Sequence, residues 1–379
     1  MEKRRYHVDV FVPPGDGWLK IEQFETRVVC PATAYREEVD GPGVLVANFV
    51  TLKIRTSDGV EGVGYGGFVA APMLRALQAT IDSLAEMTIG DDPLMIEAIG
   101  QRLLMAGGLG APAGLVTRAV AAIDVALWDI KGKVLGQPVH RLLGGYRDRV
   151  PCYASGFLWR NYDAAALAKK GAELVEQGYR AMKFRMGAAP TTVAEIERMR
   201  ALRDAVGDDV DLMVDINQGW DVNRSIQVGR EMERCNLHWL EDPIDHQDYE
   251  GMAQIAAALD TPIAAGEYHY GIAPFRHMFT HRSVDIAMID LLRAGGVTPW
   301  MKIAHLAESF NLPVVTHLAP EVLAHCLAAI PNGETVEQMP WSLPLFRNEL
   351  RIEDGHIVLS DQPGLGLELD DEAAAKFNR

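Results

Sequence analysis

The chain of 379 residues has only four cysteines, Cys30, Cys152, Cys235 and Cys326, and they are far apart. No two have the spacing of a zinc site, and no disulfide framework is suggested. Basic residues are scarce as well: 36 Lys and Arg stand against 52 Asp and Glu, a formal net charge of −16. That balance disfavours nucleic acid and anionic membrane as partners, because binding phosphate needs a basic face. An anionic small substrate stays open, since a metal ion with a few local Lys or Arg can reverse the field inside one pocket. No run of about 18 apolar residues exists to span a bilayer. The opening MEKRRYHVDVF lacks the apolar stretch of a secretory signal, so a cytoplasmic protein is expected. A GxGxxG turn after an early strand is missing too, which weighs against an open doubly wound sheet.

What is present is ordinary for a loop-rich enzyme: 48% hydrophobic residues, 35 Gly and 20 Pro. A chain this long buries a sizeable core without disulfides. Two patterns divide it. In the first, residues 44–56 (VLVANFVTLKIRT) read as a strand, Ser57-Asp58-Gly59 as a turn, and 60–65 as the returning strand. Helical spacing follows over 73–87, 93–105 and 115–131, where Val116, Val120, Ile123, Leu127 and Ile130 share a face. Strands followed by a run of helices predict an α+β domain.

From about residue 150 short apolar strands alternate with helical stretches: VPCYAS, AMKF, DLMVD, LHWLE, PIAAGE, VDIAMID, LPVVTH and TVEQM. Seven or eight βα units predict an α/β fold of the (β/α)8 barrel type. The turn-rich tail 350–369 can return to the first domain. The polar loop 30–43 is a candidate lid over the barrel mouth, where barrel active sites lie.

Asp215, Glu241 and Glu267 each close a predicted strand, and each lies 26 residues after the one before. Adjacent parallel strands run about 4.8 Å apart, so three neighbouring ends can aim three carboxylates at one point. Unpaired, such anions raise each other's pKa, and a hard cation resolves the conflict. Ligation by oxygen alone favours magnesium or manganese over zinc. On the second strand, alternation puts Lys183 and Arg185 on one face and Phe184 on the other, so both cations point inward. They are candidate clamps for a substrate carboxylate, or an acid/base. His317 and Asp290 close neighbouring strands, and a carboxylate beside a histidine orients the ring and makes a base. Glu337 adds an acid on the eighth strand. Asn217 stands two residues past Asp215, within reach of a ligand or of the metal's surroundings.

These residues, with AVAAIDVALWDIKGKVLGQPVHRLLGG, MVDINQGWDV, WLEDP, AAGEYHYG, IDLLRAGGVT and THLAPEVLAHCLAA, resemble the enolase superfamily and, within it, the mandelate racemase subgroup. The resemblance spans nearly the whole chain. It implies a modified barrel, (β/α)7β, over residues 131–345, an α+β capping domain over 1–130, and a segment 346–379 that returns to the cap. It implies magnesium on Asp215, Glu241 and Glu267, and removal of the proton α to a carboxylate through a metal-stabilised enediolate. By position His317 with Asp290 resembles the family's base pair, and Glu337 its acid beside the substrate carboxylate. Asn217 and Ser155 resemble substrate-contacting positions. A homo-oligomer is expected, because such barrels often form symmetric assemblies.

One departure matters. The subgroup usually carries Lys-x-Lys on the second strand, and the second Lys is the base on one face of the substrate. Here that position is Arg185, and a guanidinium with a pKa above about 12 is a poor base. A racemase needs two bases, whereas a dehydratase can work with one. The sequence thus favours a sugar-acid dehydratase acting on an aldonate or aldarate, with Arg36 in the polar loop and Arg160 after the first strand reading distal groups. The alternatives are a racemase or epimerase of a 2-hydroxy acid, a cycloisomerase using the same enolate chemistry, and a non-catalytic paralogue that binds metal and a sugar acid.

Overall fold

In the computed structural model, which describes residues 19–31, 47–348 and 350–377, the first pattern forms a three-stranded antiparallel sheet. Its strands are β1 (Ile21–Val29), β2 (Phe49–Thr56) and β3 (Glu61–Gly67), in that order. The β2–β3 turn forms as expected: Asp58 accepts the Thr56 hydroxyl at 2.5 Å, and Gly59 takes a left-handed φ of 86°. Strand β1 was not predicted. Its register slips between Ile21 and Gln23, and its middle residues are not cleanly alternating in burial, so no two-residue period marks it.

Three helices cover this sheet: α1 (Leu74–Glu86), α2 (Ile96–Ala106) and α3 (Gly114–Val134). One apolar face was read on α3, yet its whole middle is buried. Val120, Ile123, Leu127 and Ile130 face the sheet core, while Ala121 and Val125 join the core of the second unit. Strand β3 meets α3 so closely that a Cβ on Gly64 would stand 2.1 Å from the Ala122 carbonyl. Two buried aspartates fix α3 in place. Asp129 accepts the amides of Val63 (2.9 Å) and Leu365 (2.8 Å), and Asp124 accepts that of Thr298 (3.1 Å).

After the short helix α4 (Val139–Leu142) the alternating pattern builds a parallel barrel. Its strands are β4 (Arg149–Leu158), β5 (Ala181–Arg185), β6 (Asp211–Asp215), β7 (Leu237–Glu241), β8 (Ile263–Ala265), β9 (Ile286–Asp290), β10 (Val314–His317) and β11 (Val336–Gln338). Between them run α5 (Ala164–Glu176), α6 (Thr192–Val206), α7 (Val222–Met232), α8 (Tyr249–Ala258), α9 (Ala273–Thr280), the pair α10 (Leu291–Ala294) and α11 (Val297–Ser309), and α12 (Pro320–Leu327). Each of α5 to α8 starts on an Asp or Thr whose side chain accepts an amide of the first turn: Asp163, Thr191, Asp221 and Asp248. Strands β4 to β10 pair in sequence, β11 pairs with β4, and Val314 bridges Gly333 to bring the two ends together. This is the (β/α)7β order.

Inside the barrel Tyr153, Met213, Trp239, Ile286, Met288 and Val315 form a separate core. It is the floor on which the strand ends stand. The tail adds a hairpin, β12 (Ile352–Glu353) and β13 (His356–Val358), whose second strand pairs antiparallel with the start of β4. Its last helix, α13 (Asp371–Lys376), lies against β1, where Asp371 pairs with Arg27 at 2.9 Å and with Lys53 at 3.2 Å. Among the described residues no helix is long and apolar enough to cross a membrane.

Candidate active site

The parallel register sets the site. Arg185 stands opposite Asp215, Asp215 opposite Glu241, and Asp290 opposite His317, all at the carboxyl ends of their strands. The tightest acidic group is not the triad expected from the spacing. Ligand oxygens of Glu241, Asp242 and Glu267 lie within 4.8 Å of one another, all three buried. Asp215 stands beside this group with its carboxylate engaged by Asn217, whose amide N–H (2.8 Å) and Nδ2 (2.9 Å) donate to its two oxygens. Asp242 joins the expected acids here. Strand alternation would turn it away from Glu241, but it leaves the strand at a left-handed φ of 39°, and neither of its buried carboxylate oxygens has a hydrogen-bond partner. The visible signal was the second acid of WLEDP.

Two carboxylates 4.8 Å apart repel by about 3.5 kcal/mol at an effective dielectric of about 20. Burial pushes Glu241 up to about 8 against the opposing Lys183, and burial with Glu267 and Glu241 raises Asp242 well above the usual carboxylate range. A crowd of buried acids, one of them with both oxygens unpartnered, fits a hard divalent cation, and the all-oxygen donor set suits magnesium. A Cβ at Gly266, whose φ is 135°, would meet the Met288 carbonyl at 2.4 Å, so only glycine lets the chain deliver Glu267 here.

Lys183 is clamped between Glu241 (2.5 Å) and Glu337 (2.9 Å), above the Tyr153 ring of the barrel floor. Burial draws its pKa down, but Glu241 and Glu337 outweigh burial and raise it, so it remains a fixed cation. Trp239 of the floor donates to the other oxygen of Glu241 at 2.9 Å. Glu337 also accepts the Ser155 hydroxyl (2.8 Å) and the Leu318 amide (2.7 Å). Although burial raises its pKa, the charges of Lys183 and His317 bring it down to about 2. Ser155, expected to touch substrate, has its hydroxyl committed to Glu337.

His317 Nδ1 lies 2.7 Å from Asp290, and its Nε2 lies 3.1 Å from Glu267. Burial lowers the His317 pKa, while Glu267 and the Asp290 hydrogen bond raise it further than burial lowers it. Asp290 is held far below the usual carboxylate range: burial opposes, and the His317 hydrogen bond and charge prevail. Leu318 and Ala319, the two residues after His317, both take left-handed φ (56° and 48°) without being glycine. Strain of this kind gathers at functional sites, and here it aims the Leu318 amide at Glu337.

Across the mouth Arg185 lies over the Trp159 ring at 4.9 Å, with Nε 3.7 Å from Asp215 and no hydrogen bond to it. Burial lowers its pKa, Asp215 and Glu337 raise it, and the net shift is upward. Arg160 donates to the Asn217 side-chain oxygen. The sequence pattern did not single out Tyr268, whose hydroxyl lies 3.4 Å from Asn217 Nδ2, or Arg293, which holds the Glu267 carbonyl at 2.6 Å and stacks on Tyr268 at 5.0 Å. Arg36 and residues 32–43 of the candidate lid lie outside the described residues.

Comparison with known proteins bears on this geometry. Residues 24–144 match the family described as mandelate racemase / muconate lactonizing enzyme, N-terminal domain, and residues 166–373 match the enolase C-terminal domain-like family. The chain is 38% identical over 326 residues to L-talarate/galactarate dehydratase of Salmonella typhimurium, covering 86% of this chain and 81% of that protein. It is 30% identical over 339 residues to arabinonate dehydratase of Saccharolobus solfataricus, covering 85% and 88%. A crystal structure of L-talarate dehydratase from Polaromonas sp. JS666 complexed with Mg and L-glucarate superposes with a TM-score of 0.86 at 33% identity, over 95% of this chain and 98% of that one.

Proposed function

The chain belongs to the mandelate racemase and muconate lactonizing enzyme family of the enolase superfamily, and from that premise we propose that it is a magnesium-dependent dehydratase of a sugar acid. The observation that carries the reading is the pairing of one competent base, His317, with an arginine at the place of a second. The dehydratases among its relatives support the same reading.

Glu241, Glu267, Asp215 and Asp242 are the residues that would hold magnesium. When bound, the metal supplies electrophilic stabilisation for the carboxylate whose α-proton is removed. His317 takes that proton at Nε2 while Asp290 holds Nδ1 and balances the imidazolium. Lys183 and Arg185 are permanent cations facing the developing enediolate charge, preorganised by their ion pairs and by Trp159. As the electron pair returns to form the enol, the bond from the β-carbon to its hydroxyl breaks. A proton from the His317 imidazolium or another acid lets the hydroxyl leave as water. The enol then ketonises to a 2-keto-3-deoxy acid.

Arg185 does not serve as the second base that racemisation needs, and Lys183 is held as a cation by two carboxylates. The test is incubation with magnesium and a panel of aldonates and aldarates, with chemical detection of 2-keto-3-deoxy acids. Appearance of keto acid supports the reading. If instead a 2-hydroxy acid exchanges its α-proton with solvent deuterium and inverts without losing water, the protein is a racemase or epimerase. We also propose a cytoplasmic homo-oligomer, for which the exposed Met95, Met105 and Ile272 are available contacts. Sedimentation of the purified protein checks the oligomeric state.

A further inference from the structure

We propose that Arg160 binds a second, distal carboxylate of the substrate, so that the acid dehydrated is an aldarate rather than an aldonate. The inference rests on the dehydratase reading and specifies its substrate class.

The geometry starts at the end of β4. Trp159 stacks on Trp341 (6.1 Å between rings, planes 8° apart), and Arg185 lies over its ring. Arg160, the next residue, turns into the mouth and donates to the Asn217 side-chain oxygen. Asn217 lies two residues beyond the end of β6 and holds Asp215 from above. Arg160 therefore occupies the layer outside Asp215, half-buried, whereas Lys183 is sealed in the layer of the metal acids at 2% exposure. Beside Arg160 in that outer layer the Tyr268 hydroxyl approaches Asn217 at 3.4 Å.

The charge balance there is incomplete. Among the described residues Arg160 has no carboxylate within ion-pair distance, and Arg185 has only Asp215, at 3.7 Å and without a hydrogen bond. Burial draws the Arg160 pKa down, Asp215 opposes, and Arg185 adds to the fall. Two neighbouring guanidiniums, partly desolvated and neither hydrogen-bonded to a carboxylate among the described residues, repel each other. Sugar hydroxyls can accept their hydrogen bonds but cannot neutralise them. A carboxylate does both, and the fork of a guanidinium matches its two oxygens. The carboxylate next to the abstracted proton belongs at the metal acids and Lys183. The anion at Arg160 is then the other end of the chain.

The test compares aldarates with aldonates of matched length and stereochemistry, in magnesium. Turnover is measured as kcat/KM. Binding is measured calorimetrically on the H317N variant, which lacks the base. We expect diacids to exceed their monoacid partners by about 100-fold in both measures, as a charge-assisted bond implies. Arg160→Gln should reduce that ratio below about ten, and Arg160→Lys should restore part of it. Equal or better use of monoacids overturns the proposal. So does an Arg160→Gln effect of the same size on both classes, which would make Arg160 only a support for Asn217. Diacid-selective binding with no turnover of any acid would uphold the subsite and refute the dehydratase reading.

Discussion

Replacing Arg185 by lysine should give the protein a second base. A free guanidinium is neutral in no more than about 3 in 100,000 molecules at pH 8, and Asp215 and Glu337 hold Arg185 further toward the cation. A lysine with an ordinary pKa of about 10.4 is neutral in about 4 per 1,000 at the same pH. Burial at this position lowers it, while Asp215 and Glu337, which raise Arg185, act in the opposite direction. The population able to take a proton therefore rises by about 100-fold. The substitution also removes the guanidinium stacked on Trp159, at a cost of about 0.5–2 kcal/mol in binding. The assay is proton NMR in deuterium oxide with magnesium, using the C2 epimer of the best substrate, whose α-proton faces away from His317. Wild type should leave that proton in place and R185K should exchange it about 100-fold faster, with a modest rise in KM. If R185K binds magnesium normally and still exchanges nothing, or if wild type already exchanges both epimers, the reasoning from Arg185 to dehydration fails.

Asp290→Asn should lower kcat by roughly 10³-fold by misorienting His317, with magnesium affinity retained in a calorimetric titration. Because Glu241 stands at about 8 without a cation and Asp242 is raised as well, magnesium binding at pH 7 should release at least about one proton, and affinity should rise with pH through about 8. Calorimetry in two buffers of different ionisation enthalpy reads this, and a buffer-independent heat would refute it. Gly266→Ala should displace Glu267 and weaken magnesium binding by at least about tenfold, because the added Cβ meets a carbonyl at 2.4 Å. Glu321, buried between the Tyr65 and Ser342 hydroxyls, has its pKa raised from 4.5 by burial. Its ionisation therefore costs stability as pH rises from the ordinary range through the raised folded value. Glu321→Gln should stay within about 1 kcal/mol of wild type at pH 7, while Glu321→Ala, which strands two hydroxyls, should lose about 2–4 kcal/mol in urea melts.

The barrel was legible because each strand is a short apolar run that ends on a polar residue, and parallel register carries sequence spacing directly into spatial adjacency. Asp215, Glu241, Asp290 and His317 were found that way. Asp242 was not, because alternation ceases to hold one residue past a strand, and only the backbone at φ 39° returns that acid to the site. Ser155 and Lys183 were visible as residues but not as partners. That Ser155 donates to Glu337, and that Lys183 bridges Glu241 and Glu337, depends on contacts between strands far apart in sequence. Strand β1 carries Glu22, Glu25 and Arg27 among its apolar residues and shifts register, so its pairing with β2 outweighs its own weak pattern.

The edges of β4 also bear on how the chain is made. Its neighbours include β11 and β13, from the far end of the sequence, and the Leu365 amide reaches Asp129 across 236 residues. A ribosome adding about 5–20 residues per second finishes β4 roughly 10–35 seconds before β11 exists. During that interval the nascent chain presents an unpaired, apolar strand edge, open to pairing with other chains. Closure of the barrel is a late event in biosynthesis, and the yield of folded protein in cells should depend on what shields that edge in the meantime.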